Sequence, residues 1–543
     1  MPNISARVFP VALVASLSIA LGAAGVPPAT AGAPAQVPKS GGTLVATLNE
    51  APPSFSIHDE TTIAAVWPAM PCYNNLVLFD PLKKQESPNT IIGELAERWS
   101  WQDEGRALVF FLRQGVKWHD GQPFTAKDVK HTFDTVREAP GITQKLRVNP
   151  RKLWHANVEG IEAPDPHAVV FRLKHPQPSL LMMLASGYSA IYPSHIPLAE
   201  LRTKCLGTGP FKLKEYRPGE VLELTRNPDY FIPGRPYLDG IRYVIIKDRA
   251  TRYAALQAGQ QHIAFPFEIS KTLAENAKKA VPSLVVVETT NNVNDHLLVN
   301  FKRPLFQDAR VRRALSLAID RKGYIQAGRQ GAAFPGGILL PPPYGVWGLP
   351  AAEQAKLPGF GDPAAQKAEA RKLLAEAGYG PGKPLKTTIS TRAVGTYIDI
   401  ASYILDQLKQ VGVEGTLDQV ETGVWHPKMT RREFDLAVNL TGIGPDDPDA
   451  NLYENYKCGS ARNYSDYCNE AMDKLIDQQS QTTDAKRRLA LVHEIDRKLQ
   501  MDGARLMLGW SKEYMVMWPF VKNLVPHQSV YNYGRMQEVW LDK

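Results

Sequence analysis

Residues 113–134 read RQGVKWHDGQPFTAKDVKHTFD, which sets His119 beside Asp120 and follows them with Asp128 and His131. An imidazole next to a carboxylate is the raw material of a catalytic dyad. Local physics gives these residues other tasks. Asp120-Gly121 followed by Pro123 makes a tight turn, because glycine tolerates positive φ and proline fixes its own. Thr125, with Asp128 three residues on, has the form of a capping box, and Val129, Phe133 and Val136 then recur at helical spacing. Neighbours at a turn point in different directions, and no nucleophile accompanies them. The expectation is a turn and a helix of the scaffold.

Other reaction signatures are missing as well. There is no G-x-S-x-G and no H-E-x-x-H, since His493-Glu494 lacks a second histidine four residues after the first. The remaining histidines are scattered. No enzyme activity, no metal and no cofactor is therefore expected. The four cysteines, Cys72, Cys205, Cys458 and Cys468, contain no C-x-x-C, which speaks against a zinc ribbon or a thioredoxin-type site. Cys458 and Cys468 flank the polar GSARNYSDY, and closing so short a loop would stabilise the fold by roughly 2–3 kcal/mol. They are the first choice for a disulfide, and Cys72 with Cys205 is left by subtraction.

Such residues need a scaffold, and the chain is long enough to supply an elaborate one. Its 543 residues exceed one ordinary core, while 44% hydrophobic and 22% charged residues are what a globular protein carries. The formal charge of +8 is spread along the chain without a basic block, which excludes a nucleic-acid binder and at most favours anionic ligands. Arg7, the apolar stretch from Val8 to Val26 and the small-x-small Ala29-Thr30-Ala31 read as a signal peptide, residues 1–31, cleaved after Ala31. No cysteine stands directly after the cleavage point and no later stretch is apolar enough to span a bilayer, so an exported protein without a membrane anchor is expected, its cysteines in an oxidising compartment.

The elements follow from periodicity and caps. GGTLVATL from Gly41, ALVFFLRQGV from Ala107 and HAVVFRLKHP from His167 read as strands in a strand-rich first half. RYVIIKD from Arg242 leads into a helix that Gly259 stops. SLVVVETT and HLLVNF read as two strands, followed by a helix capped by Asp308 with Val311, Leu315 and Ala318 on one face. The next helix has Asp362 as N-cap, Pro363 at its first position and Gly378 past its end. KTTIST, TYIDIASYILDQLKQVG, VEGTLDQV, VWHPKMTRREF and FDLAVNLTG then alternate strand and helix, the grammar of an α/β unit with partly parallel pairing. The proline-rich loop from Phe334 to Pro350 is the one long irregular segment, and such loops are often functional.

With these motifs in hand, LRQGVKWHDGQPFTAKDVKHTFD resembles the signature of the family 5 extracellular solute-binding proteins of ABC importers, the dipeptide, oligopeptide and nickel-binding group. LGTGPFKLKEY from Leu206, LTRNPDYF from Leu224, LDGIRYVIIKDRATRYAALQAGQ from Leu238, LLVNFKRPLFQDARVRRALSLAIDR from Leu297 and NEAMDKLID from Asn469 agree, in family order. One departure is GQQHIAF at 259–265, where relatives carry an acid before the isoleucine. The resemblance implies an α/β, two-lobed periplasmic binding protein (Venus-flytrap) fold with an extra strand-rich domain in the first lobe. It divides the chain into a first lobe at 32–270, with the extra domain at about 55–190, a second lobe at 271–495 and a return to the first at 496–543. It further implies a monomer in the periplasm that delivers a peptide, peptide-like or anionic solute to permease transmembrane subunits. An exported hydrolase, or a periplasmic chaperone or sensor on the same fold, is the alternative.

The resemblance also implies a site. In dipeptide-binding relatives an arginine after the strand equivalent to KTTIST receives the peptide carboxylate, and Arg392 matches it. An aspartate after the strand equivalent to FDLAVNLTG receives the amine, and here Ile443 or Gly444 stands in its place. Asp446 and Asp447 lie nearby, although Asp447-Pro448 also reads as a helix N-cap followed by proline. Tyr73, Asn294, His296 and Trp425 match cleft-lining segments of the family.

Overall fold

The computed structural model describes residues 37–543, so the signal-peptide reading of residues 1–31 lies outside the described residues. Among the described residues the strands are, in order, β1 (Thr43–Leu48), β2 (Val77–Phe79), β3 (Ile91–Gly93), β4 (Ala96–Gln102), β5 (Ala107–Leu112), β6 (Val158–Asp165), β7 (Ala168–Leu173), β8 (Phe211–Arg217), β9 (Val221–Arg226), β10 (Gly240–Ile245), β11 (Val285–Val299), β12 (Ala333–Phe334), β13 (Leu385–Arg392), β14 (Val413–Val420), β15 (Leu436–Gly442), β16 (Arg505–Met517), β17 (Val521–Lys522) and β18 (Trp540–Leu541).

A four-stranded sheet in the order β1-β10-β9-β8 pairs β1 parallel to β10, Thr43 opposite Gly240. A separate antiparallel sheet, β4-β5-β7-β6, forms the strand-rich insertion. The larger sheet is six-stranded, β12-β16-β11-β15-β13-β14, with β13 parallel to both of its neighbours and the remaining pairs antiparallel. Single bridges from Ile263 to Ala46 and to Met517 connect this sheet to the four-stranded one.

Caps and apolar stripes put the helices where the sequence asks. Asp308 accepts from the Arg310 amide at 2.8 Å and opens the helix Ala309–Ala318, whose Val311, Leu315 and Ala318 are buried. Asp362 accepts from Ala365 at 2.8 Å and opens Pro363–Glu376, and Gly378 past its end has φ +87°, which only glycine adopts without strain. These two helices and Gly395–Lys409 pack Leu315, Leu374, Ile400 and Ile404 onto Leu385, Ile389 and Val438 of the six-stranded sheet. Burying each such side chain stabilises the fold by about 1.5–3 kcal/mol.

The opening stretch is scaffold. His119 is half-buried, taking the Gly207 amide at Nδ1 (3.3 Å) and reaching the Gly209 carbonyl with Nε2 (3.0 Å), and desolvation pushes its pKa down to about 4. Asp120 turns away to His195 at 2.7 Å. Thr125 and Asp128 form the reciprocal capping box of the helix Ala126–Val136, on which His131 stands half-buried. Both disulfides are present, Cys72–Cys205 and Cys458–Cys468, with Cα separations of 5.8 and 4.8 Å. The expected pair of strands SLVVVETT and HLLVNF is one continuous strand, β11. Its middle stays extended because Asn291 donates to Glu513 at 2.7 Å and the Asn292 amide to the Gln528 carbonyl.

Candidate ligand-binding site

A cavity of about 280 Å³ lies where the ends of β1, β13 and β15 converge. On one side it is walled by Asn49 and Glu50 after β1, by residues 61–64, and by Arg249, Arg252 and Phe267. The other side is supplied by Arg392 at the end of β13, by Tyr397, by Thr422 and His426 of the helix Thr422–Thr430, by Arg329 and by Arg462. Phe267 has φ +65°, a conformation that costs a residue with a Cβ energy and that concentrates at functional sites. Arg329 arrives at the end of a π-helical turn, Tyr324–Gly328, which offsets it from ordinary helical phase.

The walls are predominantly cationic. Lys247 and Arg249, Arg252, Arg329, Arg392 and Arg462 face the cavity against the three carboxylates Glu50, Glu268 and Glu421. Four of the arginines hold a buried or half-buried acid: Arg252 pairs with Glu268, Arg462 with Glu454, Arg329 with Asp295 at 3.2 Å and Arg392 with Glu50 at 3.0 Å. Lys247 and Arg249 form no ion pair among the described residues, so positive charge is left over. Several lining groups are buried without a protein partner, among them Asn49 Oδ1, Thr62 Oγ1, Arg249 Nε, His426 Nε2 and Arg462 Nε. A buried polar atom left unpaired costs about 1–3 kcal/mol, and their concentration here marks surface built to meet polar atoms of a solute.

Of the residues singled out from sequence, Arg392 lines the cavity and the others do not. Its guanidinium is more committed than the resemblance implies. Nε and Nη2 donate to Thr422 Oγ1 at 3.0 and 2.8 Å, Nη1 to the Tyr397 hydroxyl at 3.0 Å and Nη2 to Glu50. An open fork for a two-pronged carboxylate is therefore replaced by one already filled from within the protein.

Tyr73 is fully buried beside Cys72, its ring 5.5 Å from Tyr192. Trp425 is core, packed with Leu298, Met429 and Phe434, and it is the next residue, His426, that reaches the cavity. Asn294 and His296 bond to each other at 2.8 Å, and His296 meets Arg505 of β16 at 3.4 Å, all three side chains buried. At Gly444 an added Cβ would lie 2.9 Å from Ser186 Oγ and 3.1 Å from Trp154, so no acid fits there without displacing them.

Neither neighbouring aspartate replaces it. Asp447 caps the helix Pro448–Asn455 and grips Arg488 with both oxygens at 2.7 and 3.0 Å. Asp446 is held by Trp347, whose Nε1 donates to its carbonyl at 3.2 Å. Burial, with the charge of Asp447 adding to it, pushes the Asp446 carboxyl up to about 7. The cavity residues that sequence reasoning missed, Glu50, Arg329, His426 and Arg462, carry no local motif; each arrives from a different part of the chain.

Comparison with known proteins adds the remaining information. The family model described as "Bacterial extracellular solute-binding proteins, family 5 Middle" matches residues 90–463. A "Probable di/tripeptide-binding protein 5" of Pseudomonas aeruginosa is 28% identical over 470 residues, covering 80% of this chain and 84% of that protein. The "Oligopeptide-binding protein AppA" of Bacillus subtilis is 28% identical over 496 residues, covering 86% and 87%. The solved structure of that AppA, in complex with a nonapeptide, superposes with a TM-score of 0.80 at 26% identity, covering 93% of this chain and all of the other. Among the described residues no helix is long and apolar enough to cross a membrane.

Proposed function

The chain belongs to the bacterial extracellular solute-binding proteins of family 5, and from that premise we propose that it works in the periplasm, binding a peptide or peptide-like solute of net negative charge between two lobes and handing it to an ABC permease. Residues 32–270 with 496–543 form one lobe in this reading and 271–495 the other. The ion pair of Lys39 with Asp542 at 2.6 Å, joining the chain's end to the segment before β1, supports that return. Binding occurs without turnover.

The observation that carries the anionic character is the composition of the cavity wall, six cationic side chains against three carboxylates. Opposite charge lowers the cost of taking an anion out of water, and the amine-receiving acid of dipeptide-binding relatives has no counterpart at Gly444. A thermal-shift and calorimetric panel of free, N-acetylated and C-amidated tripeptides, with simple di- and tricarboxylates, tests it. Solutes keeping a free carboxylate should bind, and acetylation of the amine should cost little. Tight binding restricted to C-amidated peptides would overturn the reading, as would release of a cleaved product.

A further inference from the structure

Two sheet ends that face one another across the cavity are joined by an ion pair. Glu50, two residues beyond β1, places Oε1 3.0 Å from Nη2 of Arg392, the last residue of β13 and 342 positions away. Arg392 is nearly buried, its side chain 10% exposed, and no other carboxylate pairs with it among the described residues. Donors that Glu50 does not satisfy lie on the same wall, His426 Nε2 and Arg462 Nε, both buried without a partner.

The state of His426 is set by its neighbours. Tyr464 bonds His426 Nδ1 at 3.1 Å; with the tyrosine hydroxyl donating to Nδ1, Nε2 carries the hydrogen and is available as a donor. Burial, reinforced by the charges of Arg392 and Arg462, holds this imidazole neutral.

We propose that Glu50 is an internal stand-in for the ligand's carboxylate: it occupies Arg392 and ties the two sheets together until a solute acid replaces it and gains His426 Nε2 and Arg462 Nε as additional donors. Glu50 is then a specificity-determining residue. A solute must bring a carboxylate to displace it, and a neutral solute meets an arginine already neutralised. The inference rests on the interlobe binding proposed above and assigns its selectivity to one residue.

The test has one arm that needs no ligand. Small-angle scattering compares the ligand-free protein with Glu50→Gln and with Arg392→Gln, both chosen to preserve size. Both variants should show a larger radius of gyration than the parent, because each removes the same tie. An unchanged radius in both would overturn the proposal. In the second arm calorimetry follows N-acetyl-trialanine and its C-terminal amide. Glu50→Gln should bind the free acid roughly tenfold more tightly than the parent, the worth of one charged hydrogen bond, with no gain for the amide. Equal or weaker binding of the acid by Glu50→Gln overturns it. If none of the three proteins binds any peptide form, the peptide reading fails by itself, and the scattering comparison still decides the role of Glu50.

Discussion

Arg392 enters the cavity making four hydrogen bonds, three of them to Thr422 and Tyr397, so its orientation is fixed before any solute arrives. Replacing it with alanine should weaken binding of a carboxylate-bearing solute by about 1.5–3 kcal/mol, measured by calorimetry. Asp447 should behave in the opposite sense. Asp447→Ala removes the two-pronged partner of the buried Arg488 guanidinium, leaving it Asp449 at 3.5 Å, and removes a cap, so a stability loss of about 1.5–3 kcal/mol is expected in urea denaturation, with the affinity of the folded fraction unchanged. Glu513 offers a pH test. Burial lifts its carboxyl to about 7 despite the bond from Tyr533. The folded state therefore holds a proton that the unfolded state has lost between the ordinary glutamate value and about 7, and stability falls as pH rises through that window. Glu513→Gln should gain on the parent steadily across the window and then run parallel to it, which denaturation at stepped pH would show. Asp447 was legible as a cap because Asp-Pro acts on its own backbone. Glu50 was not, since its pairing with Arg392 across 342 residues leaves no periodicity or spacing to read.

Helices declared themselves through their ends. Asp308 and Asp362 each accept from an amide of the first turn, as the sequence expects of residues that satisfy the unpaired donors there, and Asp248 does the same for the helix Arg249–Gln257. The centre of β11 was misread for an equally local reason. NNVND has the composition of a turn, and it remains extended because Glu513 and Gln528, far away in sequence, take up its polar groups. The Cys458–Cys468 loop is the element whose pairing followed from separation, and its two cysteines are bonded. Substituting both by serine should lower stability by roughly 2–3 kcal/mol, read from a shifted urea midpoint at unchanged slope. The segment it closes carries Arg462 to the cavity, so that variant should also bind more weakly.

At the scale of the whole molecule, motif order gave the architecture, while the residues lining the cavity had to await the fold, because they come from segments before β2 to beyond β17. A solute held by both sides is bound by the native state and not by the unfolded chain, so at a hundredfold excess over its Kd it should stabilise the protein by roughly 2.7 kcal/mol, seen as a concentration-dependent Tm. The strands β11 and β16 run side by side from Val285 opposite Met517, slip register between Thr290 and Asn294 and again between Asp295 and His296, and continue to Leu298 opposite Arg505. At one end Met517 bridges Ile263 beside β1, and at the other β11 is flanked by β15. A two-ply ribbon of this kind is stiff along its length and yields across its face, most easily where its rungs are interrupted. In the two-lobed reading proposed above, such a ribbon would act as a leaf spring that bends where its register slips. If the lobes close over a solute as proposed above, the closed outline offered to the permease would be set by this ribbon and not by the solute.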